Sequence, residues 1–398
     1  MGNRTEFLGQ PKGESTPGLG SQIAQRIMPT WSNLGRTDFG APADPVGALR
    51  FPAAGPIATL RIQAQIVSAR AKAAGAGLAT PNASSFPAYL ASLLAHFLSP
   101  EGDPGLARVV AANGNVLDSR RSLEDHAWML RALADSYFAT RSRDILLVAD
   151  LILEFLDRHL ANDSIGYFED NHGGGERRQA GHAHLLDAIL TLHAATGSAQ
   201  YLARAAALFE LFRFHMLERE SLNVGEAFDR NWRAVPASGE AAFRPASAAH
   251  WVVLLRRYHG SSGDDSALDL MRALGQRLVA KRNARGMIVS SLDAFGAAPD
   301  ASMRMRDQLG LCAALRALGP GERQHSGEVR LLESRIAALF IDPAPTGCWC
   351  ESVDANGESR GEPISVETLA TLVNYAASAQ SGQTMVALAE PDRTMHAA

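Results

Sequence analysis

The sequence predicts an all-α fold in which twelve helices close into an (α/α)6 barrel, with six inner and six outer helices and short β-hairpins at the mouth. Three observations support this prediction. Helical periodicity runs through most of the 398 residues. Long connections alternate with short ones, and the helices after the long connections recur about every 60 residues. A repeat of that length, built of helix, hairpin and helix, is typical of a closed or stacked helical array.

Amphipathic segments give the elements in order. Short links at 139–144 and 195–200 leave room only for antiparallel helix pairs, and six such pairs can close into a ring. The predicted helices are 19–32, 58–76, 86–99, 122–140, 144–161, 181–196, 199–217, 245–260, 265–282, 304–318, 326–341 and 363–380.

The long connections resemble one another. Each has a short apolar or aromatic run, a turn rich in Asp, Asn or Gly, and then a helix start. They read NGNVLDSRRS, DSIGYFEDNHG, LNVGEAFDRNWRAV, RGMIVSSLDAFG and GCWCESVDANGESRG. In a ring of helix pairs these connections all lie at one end, so residues at the starts of the six inner helices converge on one pocket.

Composition limits the class of protein. With 46% hydrophobic residues, 20% charged residues and a net charge of -4, the chain has the composition of a globular domain. The charge gives no reason to expect a nucleic acid or an anionic membrane as partner, and no apolar run is long enough to span a membrane. We expect a cytoplasmic monomer or homodimer, with a single barrel domain at 18–380 between loose tails at 1–17 and 381–398.

The cysteines predict neither a disulfide framework nor a metal site. The chain has three, and Cys348 and Cys350 flank one tryptophan. A structural zinc site needs four ligands, and no second cysteine pair or histidine cluster lies nearby in the sequence. We therefore expect no metal.

Polar and titratable residues at the predicted helix starts predict a sugar pocket. Planar hydrogen-bonding side chains and aromatic faces are what bind carbohydrates, and Trp349, inside a predicted mouth hairpin, is the best stacking candidate. Arg304 and Gln308 are four residues apart and share a helix face, where they can hold a sugar oxygen or a phosphate. The polar candidates are Gln65, Asp125, His126, His182, His184, Ser247, His250, Arg304, Gln308 and Thr371.

The block RRQAGHAHLLDAILTLHAATG resembles a run, R-Q-N-P-H-M-H-L-L-E-A, that opens an inner helix in the N-acylglucosamine 2-epimerase superfamily. The resemblance is closest to the bacterial mannose isomerase and cellobiose 2-epimerase branch, and extends from about Arg61 to Ala377. It implies an (α/α)6 barrel and proton transfer at carbon 2 of a hexose or related sugar through an enediolate, which isomerises or epimerises the sugar. It also implies that no metal or redox cofactor is needed. Histidine suits such a reaction because its pKa lies near working pH.

The family's reacting groups are mostly replaced. The family run P-G-H, followed three residues later by Glu before Trp, matches FRPASAAHW in this chain. Ser247 therefore occupies the position of a catalytic histidine of the family, and His250 occupies the position of the glutamate. A second family histidine falls on Thr371, and an early family arginine falls on Gln65. His184 is kept. Hydroxyl groups cannot act as general bases at neutral pH without an activating partner.

Three hypotheses stay open. In the first, His184 and His250 are the base and acid of a sugar isomerase or epimerase, because His250 shares a helix face with Ser247 and can enter the same cavity. In the second, the barrel is catalytically degenerate and binds a sugar or a protein partner without turnover. In the third, a carboxylate pair such as Asp125 with Asp307 serves a lyase or hydrolase. Under the first hypothesis, the isomerase or epimerase, the sugar is held by Arg304, Gln308 and Trp349. Further sugar-binding candidates are Ser247, Thr371, Gln65 and His126.

Several of these residues also have a plain structural interpretation. His250 can be a partly buried histidine bonded to a carbonyl group. His126 follows an acidic helix start and can serve the helix or the pocket equally well. Tryptophans are more often part of a core than a sugar platform.

Overall fold

The structure is a computed structural model, and the residues it describes are 18–31, 57–78, 86–98, 105–111, 114–162, 165–173, 175–235, 243–293, 296–319 and 323–380. The tails expected at 1–17 and 381–398 lie outside these ranges.

Twelve helices form the described part of the chain. Three of them contain or run into a π-helical turn, at Ile23–Ile27, Phe212–Met216 and Ala337–Ile341. In chain order the helices are α1 (19–31), α2 (Leu60–Gly75), α3 (Phe86–Phe97), α4 (Leu123–Thr140), α5 (Arg143–His159), α6 (Gln179–Thr196), α7 (Ala199–Leu211), α8 (Pro245–Ser262), α9 (Asp265–Ala280), α10 (Met305–Ala317), α11 (Arg323–Ile336) and α12 (Val366–Gln380).

The even-numbered helices form a closed inner ring. Helices α2, α4, α6, α8, α10 and α12 each pack on the next, and α12 packs back on α2. The odd-numbered helices lie outside, and α1 packs on α12 and α11 to complete the outer layer. Apolar residues of both layers form one continuous core. The predicted (α/α)6 barrel is confirmed.

In the described ranges, seven short strands lie at one end of the barrel. They are β1 (Ile57–Thr59), β2 (Val109–Ala111), β3 (Val116–Asp118), β4 (Arg177–Arg178), β5 (Ala227–Phe228), β6 (Met303–Arg304) and β7 (Ser352–Val353). All pairs are antiparallel: β1 with β2, β2 with β3, β4 with β5, and β6 with β7. The strand before an inner helix therefore pairs with the next long connection, and this ties successive helix pairs together at the mouth.

Three glutamates in the long connections cap the inner helices that follow. Each carboxylate accepts a hydrogen bond from the backbone N–H of the residue just before a helix. The pairs are Glu169 with Arg178 (2.6 Å), Glu226 with Arg244 (3.1 Å) and Glu351 with Ser365 (3.2 Å). Helix starts leave backbone donors without partners, so these capping glutamates define where α6, α8 and α12 begin.

The fourth residue of three inner helices fastens a mouth connection to its helix. In each case the side chain accepts a loop N–H and contacts the carbonyl oxygen four residues earlier. The sets are His126 with Leu106 N–H (3.0 Å) and Ser122 C=O (2.7 Å), His182 with Tyr167 N–H (3.1 Å) and Arg178 C=O (2.9 Å), and Gln308 with Ile288 N–H (3.0 Å) and Arg304 C=O (3.3 Å). We call these side chains the loop clamps.

Candidate active site

The second, sixth, ninth and thirteenth residues of each inner helix share the face that looks into the barrel lumen. Steps of four, three and four residues keep side chains on one side of an α-helix. Because the six helices begin at the same level, the side chains form stacked layers. The sixth-residue layer consists of Gln65, Trp128, His184, His250, Gly310 and Thr371.

His184 and His250 lie side by side in this layer, on the adjacent helices α6 and α8. Their ring centroids are 5.2 Å apart, and the ring of Trp128 is 4.6 Å from that of His184. The His184 side chain keeps 23% of its surface exposed although helices surround it, so it borders the hollow lumen. The structure thus brings together the two histidines that the sequence singled out.

Burial keeps both imidazoles uncharged at neutral pH. Desolvation lowers the pKa of His250 to about 4, helped by the neighbouring His184 and opposed by Asp187. Desolvation also lowers the pKa of His184, against the raising effect of Glu124 and Asp187. A neutral imidazole has a free nitrogen lone pair, so each ring can accept a proton at neutral pH.

The second-residue layer is a chain of ion pairs that sequence reasoning missed. Arg306 on α10 pairs with Glu367 on α12. Glu367 pairs with Arg61 on α2 at 3.2 Å, and Arg61 pairs with Glu124 on α4 at 3.3 Å. Glu124 Oε1 in turn lies 3.9 Å from His184 Nε2. Four adjacent inner helices therefore contribute one linked second-residue side chain each, and His184 of a fifth helix joins them from the sixth position. The shared second position is the signal that could have found the four.

The floor of the lumen carries a second ionic network. Asp187 is held between Arg131 and Arg257, whose charges keep the pKa of its carboxyl well below the usual range despite burial. Asp135 accepts from Arg131 at 3.0 Å and lies 3.4 Å from Lys72. Desolvation lowers the pKa of Lys72 to about 8. These side chains therefore neutralise one another.

Two other predicted residues, Ser247 and Thr371, make hydrogen bonds within the protein. Ser247 Oγ accepts from Gln179 Nε2 at 3.0 Å, and Gln179 Oε1 accepts from Trp251 Nε1 at 2.8 Å. Thr371 Oγ1 donates to the carbonyl oxygen of Glu367, one turn earlier in its own helix. Gln65 is buried, and its Oε1 atom has no hydrogen-bond partner among the described residues.

Three residues that the sequence placed against the sugar make hydrogen bonds within the protein. Trp349 is only 3% exposed, and its indole N–H donates to the capping glutamate Glu351 at 2.9 Å. His126 and Gln308 are both fully buried and act as loop clamps. Trp128 borders the histidines where a stacking platform was expected of Trp349. Arg304 is half-buried and directly precedes α10.

The carboxylates of the hydrolase hypothesis lie on helices that are not adjacent. Asp125 is on α4, where burial raises its pKa and one oxygen, Oδ2, has no hydrogen-bond partner in the described structure. Asp307 is on α10, and burial raises its pKa as well. Within the described ranges, no cluster of three His, Cys, Asp or Glu side chains could hold a metal ion. None of the described helices has the length and apolar character needed to cross a membrane.

Solved structures of known proteins share this fold. The structure resembles a cellobiose 2-epimerase from Bacillus thermoamylovorans (TM-score 0.79, 15% identity, 92% of this chain and 98% of that chain). It also resembles a cellobiose 2-epimerase from Spirochaeta thermophila (TM-score 0.71, 18% identity, 92% of this chain and 96% of that chain). A third similar structure is a D-mannose isomerase (TM-score 0.69, 16% identity, 82% of this chain and 88% of that chain). The sequence profile of the N-acylglucosamine 2-epimerase (GlcNAc 2-epimerase) family matches residues 87–366. Family and fold indicate an enzyme of the sugar 2-epimerase or isomerase type. This chain belongs to the N-acylglucosamine 2-epimerase family.

Proposed function

We propose that this protein moves a proton at carbon 2 of a hexose-type sugar through an enediolate, as an aldose–ketose isomerase or a 2-epimerase. The observation that carries the proposal is the pair of uncharged imidazoles, His184 and His250, which face the same lumen from adjacent helices. A base beside the carbonyl carbon of an open-chain sugar is the main requirement of this reaction.

His184 is the base in this proposal. Its neutral nitrogen takes the proton from C2, the C–H electron pair forms a C1–C2 double bond, and the C1 oxygen becomes negative. Return of the proton to C1, with transfer of the O2 hydroxyl proton to O1, gives the ketose. Delivery of a proton to the opposite face of C2 gives the epimer. One positioned base contributes about 10²- to 10⁴-fold in rate.

His250 acts as the acid partner from the neutral state. With a pKa of about 4 its ring is not an imidazolium at neutral pH. It therefore supplies a neutral N–H donor to the developing oxyanion, where a fixed donor in a dry site stabilises charge more strongly than water does. Ser247 and Thr371 have no activating base among their observed hydrogen bonds, so they bind the sugar and do not abstract its proton.

The sixth-residue layer supplies the sugar contacts. The Gln65 Oε1 atom has no hydrogen-bond partner among the described residues, although buried polar atoms normally have one. It can therefore accept a hydrogen bond from a sugar hydroxyl. Trp128 offers a ring next to His184, and Arg304 lies at the mouth for an outer oxygen. Trp349, His126 and Gln308 hold the connections that shape the entrance.

The test is proton exchange. The protein is incubated in D2O with free and phosphorylated sugars, and C1 and C2 are followed by NMR. Deuterium at C2 or a new ketose signal is expected. His184→Gln should lower the rate at least ~100-fold and His250→Gln at least ~10-fold. His215→Gln, on the exposed π-helical turn after α7, is the matched control and should change nothing.

Other outcomes discriminate between the hypotheses. Full activity in His184→Gln contradicts the proposed base. No exchange with any sugar, together with thermal stabilisation by one of them, supports a binding protein without turnover.

A further inference from the structure

The first two turns of α4 hold His184 on two sides. Glu124 Oε1 lies 3.9 Å from His184 Nε2, and Trp128, one turn later on the same helix, packs against the ring at 4.6 Å. The carboxylate lies beside the imidazole Nε2 atom, and the indole plane is tilted 40° to the plane of the imidazole. Helix α4 therefore supplies one charged and one aromatic neighbour to the proposed base.

We propose that Glu124 is a positioning residue for proton transfer by His184. Its carboxylate lies beside the ring and stabilises the imidazolium that forms when His184 takes the C2 proton. This inference rests on the proposed function of His184. The residue itself stands outside the positions that the sequence analysis singled out.

The 3.9 Å separation makes the contact selective for the charged state. It exceeds a hydrogen-bond distance, so the neutral ring gains little from it. Once the ring carries a proton, two opposite charges face each other in a partly buried site, where their attraction is stronger than in water. An interaction that strengthens as the reaction proceeds raises kcat more than it changes KM.

The other charged groups around His184 are already neutralised. Asp187, on the same helix, is paired with two arginines. Glu367, on α12, is paired with Arg306 and shares Arg61. His250, on α8, is uncharged at neutral pH. Glu124 has one ionic partner besides His184, the guanidinium of Arg61, and that arginine is shared with Glu367. Of the carboxylates around the imidazole, Glu124 is therefore the one whose negative charge is least compensated by arginine, so it can best stabilise a protonated His184.

Two substitutions should move the His184 titration in opposite directions. Glu124 raises the pKa of His184 and Arg61 lowers it. Glu124→Gln therefore lowers the His184 pKa further, whereas Arg61→Gln raises it. A purely structural role of the α4 start would move both variants in the same direction, or neither. The titration is followed without substrate, by the imidazole carbon-bound proton signals in heteronuclear NMR, with His184→Gln used for assignment.

Kinetics supply the second measurement. In Glu124→Gln, kcat should fall ~10- to 100-fold while KM stays within about twofold, because the lost interaction belongs to the charged state. Glu124→Asp keeps the charge and should recover part of the rate. Glu154→Gln, on the outer surface of α5, is the matched control and should behave as wild type.

The outcomes separate the two proposals. An unchanged His184 titration in Glu124→Gln overturns the role of Glu124, whatever the activity. A large rise in KM with unchanged kcat also overturns it and makes Glu124 a substrate ligand. If Glu124→Gln shifts the His184 titration but the wild-type protein exchanges no sugar proton, the proposed reaction is overturned. The catalytic use of the contact is then overturned with it. Circular dichroism confirms that each variant is folded.

Discussion

At the scale of single residues, one position in the helix separates a structural histidine from a functional one. His182 and His184 are two residues apart on α6, so their side chains point in directions about 200° apart. His182 clamps Tyr167 of the preceding connection, and its Nε2 atom accepts, which leaves the proton on Nδ1. His184 faces the lumen. Gln308 makes the same two kinds of bond as His182, so this clamp requires one acceptor and one donor and not an imidazole.

The loop clamp at His182 predicts a pH effect on stability. Desolvation lowers its pKa to about 4, below the value near 6.5 of the unfolded chain. As the pH falls below 6.5, the unfolded state binds a proton at His182 that the folded state does not bind. The free energy of unfolding therefore decreases. His182→Gln should match wild type at pH 7.5 within ~1 kcal/mol and exceed it at pH 5 by about 2 kcal/mol, from 1.4 kcal/mol per pH unit.

Urea denaturation at both pH values checks this prediction. His182→Leu removes both clamp bonds and should be less stable at either pH. Gln308→His is the reciprocal variant, and it should lose stability on acidification. An equal difference between wild type and His182→Gln at pH 7.5 and pH 5 would contradict the argument.

At the scale of elements, helices were predictable because each carries its own periodicity and end signals. The predicted segment 245–260 corresponds to Pro245–Ser262, where proline suits the first turn. The pairing of the strands was harder to predict from the sequence. The sequence predicts hairpins inside the connections, and β2 with β3 is one. The pairs β4 with β5 and β6 with β7 instead join successive connections across two helices, a long-range register that two-residue strands cannot encode locally.

The capping glutamate Glu351 should be a stability determinant of α12. Its buried carboxylate accepts from the N–H and hydroxyl of Ser365, the hydroxyl of Thr368 and the indole of Trp349. Glu351→Ala leaves these donors unpaired and should destabilise the protein by about 3 kcal/mol, since each unsatisfied buried group costs about 1–3 kcal/mol. Glu358→Ala, exposed in the same connection, is the control. Equal thermal and urea stability of the two variants would show that the cap is dispensable.

At the scale of the whole molecule, the repeat predicts a lumen and not which side chains enter it. Six helix starts at one level bring distant residues together, which is why His184 and His250 could be paired from sequence. The face that a residue presents depends on the first residue of its helix, and an error of one residue turns a side chain by about 100°. His126 and Gln308 are fourth residues and face the connections. The ion-pair chain from Arg306 to Glu124 was missed for the same reason: no local motif marks a second position as facing inward.

The closed lumen also predicts how activity depends on pH. Both histidines must be neutral to accept or share a proton, and burial lowers the pKa of each, that of His250 to about 4. A group with a lowered pKa stays neutral as the pH falls past 6.5 and is protonated only near its own folded value. The acidic limb of kcat/KM should therefore have its midpoint below 6.5, the value of a solvent-exposed histidine. Initial rates between pH 4.5 and 8, with circular dichroism at each pH to exclude unfolding, measure that midpoint. A midpoint at 6.5 or above would mean that the reacting imidazole is solvated, and that the base lies outside the lumen described by these six helices.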